Sequence, residues 1–324
     1  MKYRRLGRTN LNVSEIGFGA WAIGGGWGPQ SDTDSVAALH KALDLGVNFI
    51  DTAAGYGNGR SERIVAQVLK DRRDAVVVAT KTPPADGPWP PSPYCVATNR
   101  YSEAYLRGNV EERLRNLGTD RIDLLQLHTW TRAWNRSPEP FAVLRKLKEE
   151  GKIRFVGVST PEQDQNSVIA LMRDGWVDVV QVIYNIFEQE PAAELLPAAA
   201  EHDVGIIVRV VFDEGSLTGK WTPATTFPAG DFRARYFEGD RLARSLDRVG
   251  RVRQTLEGSG YTLPEAALTF ARSHPAVTTV IPGMRNPAQA EANCGASELP
   301  LMGEDLRRRL RPHNWLRGVW YSGK

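Results

Sequence analysis

Four residues of this chain carry side chains that together can move a proton: Asp51, Tyr56, Lys81 and His128. A phenol has a pKa of roughly 10, so near neutral pH it exchanges its proton only with help. An ammonium beside it stabilises the phenolate and lowers that pKa, while a carboxylate paired with the ammonium fixes its charge and position. A neutral imidazole can donate a hydrogen bond to a carbonyl oxygen and orient it. The set suits protonation of a carbonyl oxygen as a hydride reaches the carbon. Singly, each residue has a structural explanation: an Asp caps a helix, a Lys reaches solvent, a Tyr packs, a His is satisfied in a core. Their placement decides between the two.

Asp51 closes the apolar run "VNFID", Lys81 closes "AVVVATK" and His128 closes "RIDLLQLH", while Tyr56 follows Asp51 between two glycines in "NFIDTAAGYGNGRSE". The further runs "EIGFGA", "KIRFVGVS", "VDVVQV", "VGIIVRV" and "AVTTVIPG" bring the strands to eight. Helix-like segments such as "SEAYLRGNVEERLRNLG", "SPEPFAVLRKLKEEG", "PEQDQNSVIALMRDG" and "EPAAELLPAAAEHD" lie between them. Strands alternating with helices imply parallel pairing. Eight of them predict an α/β fold, a (β/α)8 TIM barrel formed as a single domain over residues 1–324. A doubly wound sheet is the competing architecture, but no G-x-G-x-x-G follows the first strand.

Three connections exceed the usual length of about 2 to 6 residues. They are the Pro-rich segment after Lys81, "TWTRAWNRSPEP" after His128 and the long stretch after Val211 that contains "GSLTGKWTPATTFPAGDFRARYFEGD". All follow the C-terminal ends of strands, where barrel enzymes build their sites. Trp27, Trp89 and Trp130 are expected to line a substrate pocket there, and Tyr94, Trp134, Trp221 and Tyr236 to add aromatic walls.

The chain has 324 residues, 41% apolar, enough for a sizeable core. Its 41 basic and 38 acidic residues nearly cancel, which gives no reason to expect nucleic acid or an anionic membrane as partner. No apolar run reaches the roughly 20 residues of a membrane span, and "MKYRRLGRTN" lacks a signal-peptide core. A cytoplasmic protein is expected. Cys95 and Cys294 lie far apart without metal-ligand spacing, so free thiols and no metal are expected.

The series "IGFGAWAIGGGWG", "FIDTAAGYGNGRSE", "VVVATKT", "IDLLQLH", "IRFVGVS", "GSLTGK" and "IPGMRNPAQAEAN" resembles the aldo-keto reductases in order and over nearly the whole chain. The resemblance implies a catalytic tetrad of Asp51, Tyr56, Lys81 and His128, and a nicotinamide cofactor, NADP(H), bound without a Rossmann domain. It implies that Ser159 and Gln181 hold the nicotinamide carboxamide, with Thr160 where many members have Asn. Trp21, Gly24 and Gly25 follow the first strand, where backbone can approach cofactor or substrate. After the seventh strand, Arg209 stands where many members carry the aromatic that stacks on the nicotinamide. A planar guanidinium can take that role. Phe212 follows it, and Leu217, Gly219 and Lys220 match the loop under the pyrophosphate. Gly283, Met284, Arg285, Gln289 and Asn293 match the site of the 2′-phosphoadenosine, an arginine beside a helix N-terminus being apt for phosphate. Ala292 replaces a frequent Glu.

The implied activity is NADPH-dependent reduction of an aldehyde or ketone, a sugar or glycosylated metabolite among the candidates, with the proton from Tyr56. Two other uses of the same scaffold remain open at this level: a regulatory subunit that senses redox state through bound NADPH, or redox-neutral use of bound cofactor. A Schiff-base role for Lys81 leaves the cofactor-like C-terminal segment unexplained.

Overall fold

A computed structural model describes residues 1–88, 91–92 and 94–315 of the chain. The eight expected strands form one parallel sheet: β3 (Phe18–Gly19), β4 (Phe49–Asp51), β5 (Val77–Thr82), β6 (Ile122–Leu127), β7 (Ile153–Ser159), β8 (Val179–Ile183), β9 (Gly205–Arg209) and β10 (Thr279–Val280). They pair in chain order, and parallel bridges Ile16↔Val280 and Gly19↔Gly283 join the last strand to the first. The first and last strands are short because glycine and proline interrupt their runs. Ahead of the barrel stands an antiparallel hairpin of β1 (Tyr3–Arg5) and β2 (Asn12–Ser14), absent from the sequence-level expectation. Three-residue strands leave too little pattern to read.

Period-2 alternation assigns each strand residue a face. Ile50, Val78, Leu125 and Val180 belong to the layer shared with the helices, where Ala38, Leu39, Val65, Leu114 and Leu144 meet them. Phe49, Ala79, Leu124, Val179 and Ile207 pack instead with Leu6 and Val13, the residues around the hairpin, as an inner cluster. Burying such a side chain contributes about 1.5–3 kcal/mol for the larger ones. Two residues further along the same inner face the character changes. Phe49 gives way to Asp51, Ala79 to Lys81, Leu124 to Gln126, Val179 to Gln181 and Ile207 to Arg209. The barrel is therefore apolar at its N-terminal end and polar at its C-terminal end.

The helices have local reasons for their ends. Ser31 accepts a hydrogen bond from the Asp34 amide (3.3 Å) at the head of helix Asp32–Asp44. Ser102 does the same for Tyr105 (3.2 Å) in Glu103–Leu117, and Gly118, at φ 62°, ends that helix. Two expected helices are short, Ile169–Arg173 and Leu195–Glu201, each preceded by a 3-10 turn.

The loop after β6 turns its tryptophans inward. Trp130 is buried, its ring centroid 5.2 Å from that of Trp134 and 4.8 Å from that of Phe141, and its Nε1 donates to Asn135 Oδ1 (2.8 Å). It packs the loop onto the helix Glu139–Glu149 rather than lining a pocket, which corrects the expectation for it. Trp89 lies outside the described residues, as does the end of the chain after residue 315.

Candidate active site

The opening stretch of loop after β4 is pinned from several sides. Ala54 N donates to Lys81 O (3.1 Å), Ser61 N to Tyr56 O (3.1 Å) and Ser61 Oγ to Ala20 O (2.8 Å). Glu62, at its end, is buried and accepts from Thr80 Oγ1 (2.6 Å) and Asn116 Nδ2 (2.9 Å) while pairing with Arg113 (2.8 Å). Glycine is required where this loop meets the one after β3. A Cβ at Gly24 would lie 2.8 Å from the Tyr56 carbonyl carbon, and one at Gly57 (φ 65°) would lie 2.2 Å from Gly24 O. The glycines let two backbones touch, and that contact fixes where Tyr56 stands.

Tyr56, Asp51, Lys81 and His128 come together at the polar end of the barrel. Lys81 Nζ uses its three hydrogens on Asp51 Oδ2 (2.5 Å), Thr52 O (2.9 Å) and Tyr56 Oη (3.0 Å). Since Tyr56 Oη accepts from Lys81, its own hydrogen is free to point into the cavity. The Trp21 ring stacks on Tyr56 (centroids 5.8 Å apart, planes 14° apart), and the His128 ring meets it edge-on at 5.8 Å.

Burial dominates the proton affinities. It lifts the Tyr56 phenol above its ordinary value; Lys81 pulls the other way but does not prevail, and Asp51 adds to the rise. This corrects the sequence-level expectation that Lys81 would leave the phenol lowered. Burial pulls the Lys81 ammonium down, but Asp51 and Tyr56 together hold it above its ordinary value. The His128 imidazole lies well below the usual range, through burial first and then the Lys81 and Arg209 charges. The phenol thus keeps its proton, the lysine its charge, and the imidazole is neutral.

Asp51, Tyr56 and His128 line a cavity of about 660 Å³, and Lys81 stands behind Tyr56. Trp21, Trp27, Ser159, Gln181, Arg209, Phe212 and Gly283 line it as well, so the cavity runs from the tetrad to the segment after β10. Gln181 Oε1 is buried with no hydrogen-bond partner among the described residues, while its Nε2 donates to Asp51 Oδ1 (2.8 Å). An unanswered acceptor beside Ser159 suits a primary amide such as a carboxamide. Thr160 gives its hydroxyl to Gln165 Oε1 (3.0 Å) and its carbonyl to Arg209 Nη2 (3.1 Å), leaving no free amide-like group where Asn is frequent.

The remaining expected cofactor positions, Leu217, Gly219, Lys220, Met284, Arg285, Gln289 and Asn293, are not among the residues that line this cavity. Leu217 is buried in the core, Gly219 (φ 71°) closes the turn, and Lys220 is exposed. A Cβ at Gly219 would lie 2.7 Å from Arg253 Nη2. Met284 is fully buried. Arg285 Nε donates to Gln30 Oε1 (2.7 Å) and its amide to Gln289 Oε1 (2.9 Å), and Asn293 Nδ2 donates to Gly283 O (3.3 Å). Asn286 caps the helix Pro287–Gly295 that follows.

Three lining groups escaped the sequence reading. Glu162 follows β7 and lies 3.6 Å from Arg209. Glu214 sits on a left-handed backbone (φ 53°) in the loop after β9, and burial, with Glu162 adding, raises its carboxyl to about 7 against Arg209 and Arg233. Gln163 joins them. An acidic residue in a long loop looks solvated in sequence; only the fold buries Glu214.

The Aldo/keto reductase family model matches residues 15–309. The chain is similar to the Aldo-keto reductase YhdN of Bacillus subtilis (strain 168), 32% identical with 95% of this chain and 92% of that protein covered. It is similar to D-threo-aldose 1-dehydrogenase of Pseudomonas sp, 31% identical with 94% of this chain and 96% of the relative covered. Among solved structures, an aldo/keto reductase from Klebsiella pneumoniae in complex with NADP and acetate superposes with a TM-score of 0.70 at 26% identity, covering 96% of this chain and 95% of that one.

Proposed function

We propose, from the premise that this chain belongs to the aldo/keto reductase family and is an NADP(H)-dependent oxidoreductase of carbonyl groups, that Tyr56 is the proton donor in reduction of a polyhydroxylated aldehyde or ketone. The observation that carries the assignment is the bond from Lys81 Nζ to Tyr56 Oη (3.0 Å) at the wall of the cavity. It occupies a lone pair of the phenol and aims the O–H at whatever oxygen enters. Bound NADPH supplies the hydride. Tyr56 gives the proton to the oxygen as charge develops there, and the Lys81 ammonium stabilises the phenolate left behind. Neutral His128 orients the carbonyl by donating a hydrogen bond, and Asp51 keeps Lys81 aimed.

The cofactor roles are assigned from the family resemblance, and six of the residues, Trp21, Ser159, Gln181, Arg209, Phe212 and Gly283, also line the cavity. Gln181 and Ser159 hold the carboxamide, with Trp21, Arg209 and Phe212 against the nicotinamide. By the same resemblance, Leu217, Gly219 and Lys220 would serve the pyrophosphate, Lys220 with its positive charge. Gly283, Met284, Arg285, Gln289 and Asn293 take the adenosine end, where Asn286 and the helix Pro287–Gly295 favour an anion. Trp27 forms the aromatic side of the substrate pocket; Arg235, Glu162 and Glu214 offer it polar groups. That mixture, with the similarity to an aldose dehydrogenase, supports a sugar or a glycosylated compound as substrate. A Schiff-base role for Lys81 is disfavoured, since all three of its hydrogens are engaged and its charge is held.

The test is NADPH consumption with a panel of aldehydes, ketones and keto-sugars, beside Tyr56→Phe. Turnover is expected to vanish in the variant while NADPH affinity stays nearly intact. A parallel loss of cofactor binding would sink the assigned role, and tight NADPH binding without turnover would favour a regulatory or redox-neutral one.

A further inference from the structure

The Asp51 carboxylate is held by more than its lysine. Lys81 takes Oδ2; Oδ1 accepts from two side-chain amides, Gln181 Nε2 (2.8 Å) and Gln126 Nε2 (3.1 Å). Gln126 is fully buried on β6, beside Lys81 in the strand register and two residues before His128. Its side chain runs through space that β7 leaves open: a Cβ at Gly157 would lie 3.0 Å from Gln126 Cγ and 3.0 Å from Val179 O.

Packing alone does not call for a glutamine there. Gln126 Oε1 is buried and has no partner among the described residues, a cost that an apolar side chain of similar volume would avoid. Turning the amide over would set its oxygen against the carboxylate. Its side-chain bond to Asp51 therefore fixes its own orientation and, with Gln181, helps fix that of Asp51.

We propose that Gln126 is a positioning residue for proton transfer: its amide, in the space kept by Gly157, holds the Asp51 carboxylate in the orientation that aims Lys81 at Tyr56. The inference rests on the reading of Tyr56 as proton donor. A neutral donor satisfies Oδ1 without adding a charge, so Asp51 still anchors the ammonium. Without it, Oδ1 is held by Gln181 alone, and the carboxylate is freer to turn and present both oxygens to Lys81, drawing Nζ off Tyr56. The phenol then loses the group that stabilises its ionised form and feels more of the carboxylate field.

The test uses the full chain with NADPH and a carbonyl substrate that it turns over. Gln126→Met is expected to lower kcat about ten-fold, the scale of a lost hydrogen bond to a charged group, with KM and NADPH affinity changed by less than about two-fold. The basic limb of the kcat–pH profile is expected to move to higher pH. Gly157→Ala, which presses on Gln126 without touching the network, should shift kcat and the profile in the same direction, and it carries the test if Gln126→Met fails to fold. Wild-type kcat and an unmoved profile in the folded variant, beside an inactive Tyr56→Phe, would overturn this inference alone. Retained turnover in Tyr56→Phe would overturn the proton-donor reading and this inference with it.

Discussion

At the N-terminal end of the barrel, Glu15 accepts from Arg272 Nη1 (2.8 Å) and Ser297 Oγ (2.9 Å) on one oxygen and from Arg4 Nη2 (2.9 Å) on the other. At the C-terminal end, Asp51 accepts from Lys81 and two glutamines, and Lys81 passes its third hydrogen to Tyr56. Both carboxylates are about 1% exposed. The first network is answered wholly by protein groups, Arg4, Arg272 and Ser297, so it serves to hold the chain together. The second ends on a phenol that faces a cavity. A buried ion pair is weak evidence for stability in either case; what separates a structural pair from a catalytic one is whether the last donor in the chain of bonds is left to something outside the protein.

Breaking each pair should expose the difference. Lys81→Met is expected to lower kcat by at least ~10³-fold, since it removes the group that stabilises the phenolate. Arg272→Met is expected to cost about 1.5–3 kcal/mol of stability, the scale of a lost hydrogen bond to a charge that Arg4 and Ser297 still partly answer, as read by urea denaturation, with kcat of the folded fraction unchanged. If Arg272→Met instead impaired turnover in folded protein, the division between the two ends would be wrong.

Glycine substitutions sharpen the contrast. Gly24→Ala would press a Cβ to 2.8 Å from the Tyr56 carbonyl carbon. A displacement of the donor by a fraction of an ångström to 1 Å should lower kcat by up to ~10²-fold. Gly205→Ala at the other end would meet Leu6 Cδ1 at 2.7 Å and should cost about 1–3 kcal/mol of stability with no loss of kcat.

The smallest effect concerns pH. Glu214 belongs to the cavity end, and its carboxyl is raised from 4.5 to about 7, chiefly by burial. The folded state therefore binds the proton more tightly than the unfolded one, so this residue's contribution is fully present below about pH 4.5 and is lost as the pH rises through 7. The change amounts to at most ~3 kcal/mol. Melting temperatures between pH 5 and 8 should fall less steeply in Glu214→Gln; equal slopes in the two proteins would remove Glu214 from the explanation.

Much of this was legible in the chain. The eight strands announce themselves as β-branched runs, and the polar residues Asp51, Lys81 and His128 stand out because each closes an apolar run. Gln126 was equally available: it lies two positions before His128 and so shares its face, but inside "IDLLQLH" it reads as one polar residue in a strand. Trp130 read as a pocket wall because loops after barrel strands build sites, yet burial of its ring against Trp134 and Phe141 outweighed that tendency.

Sequence by itself determined what depends on neighbours along the chain: the strand alternation that sets inner and outer faces, the helix caps, the glycines that admit positive φ in "AGYGNG". Only the closed barrel decided what depends on neighbours across it. Gln181 reaches Asp51 from 130 residues away and Gln126 from 75, distances over which no local pattern carries a register. The direction of the Tyr56 shift belongs to the same class. Lysine beside tyrosine predicts a lowered phenol, but how far water is excluded from the pair is a property of the assembled barrel, and that exclusion outweighs the charge.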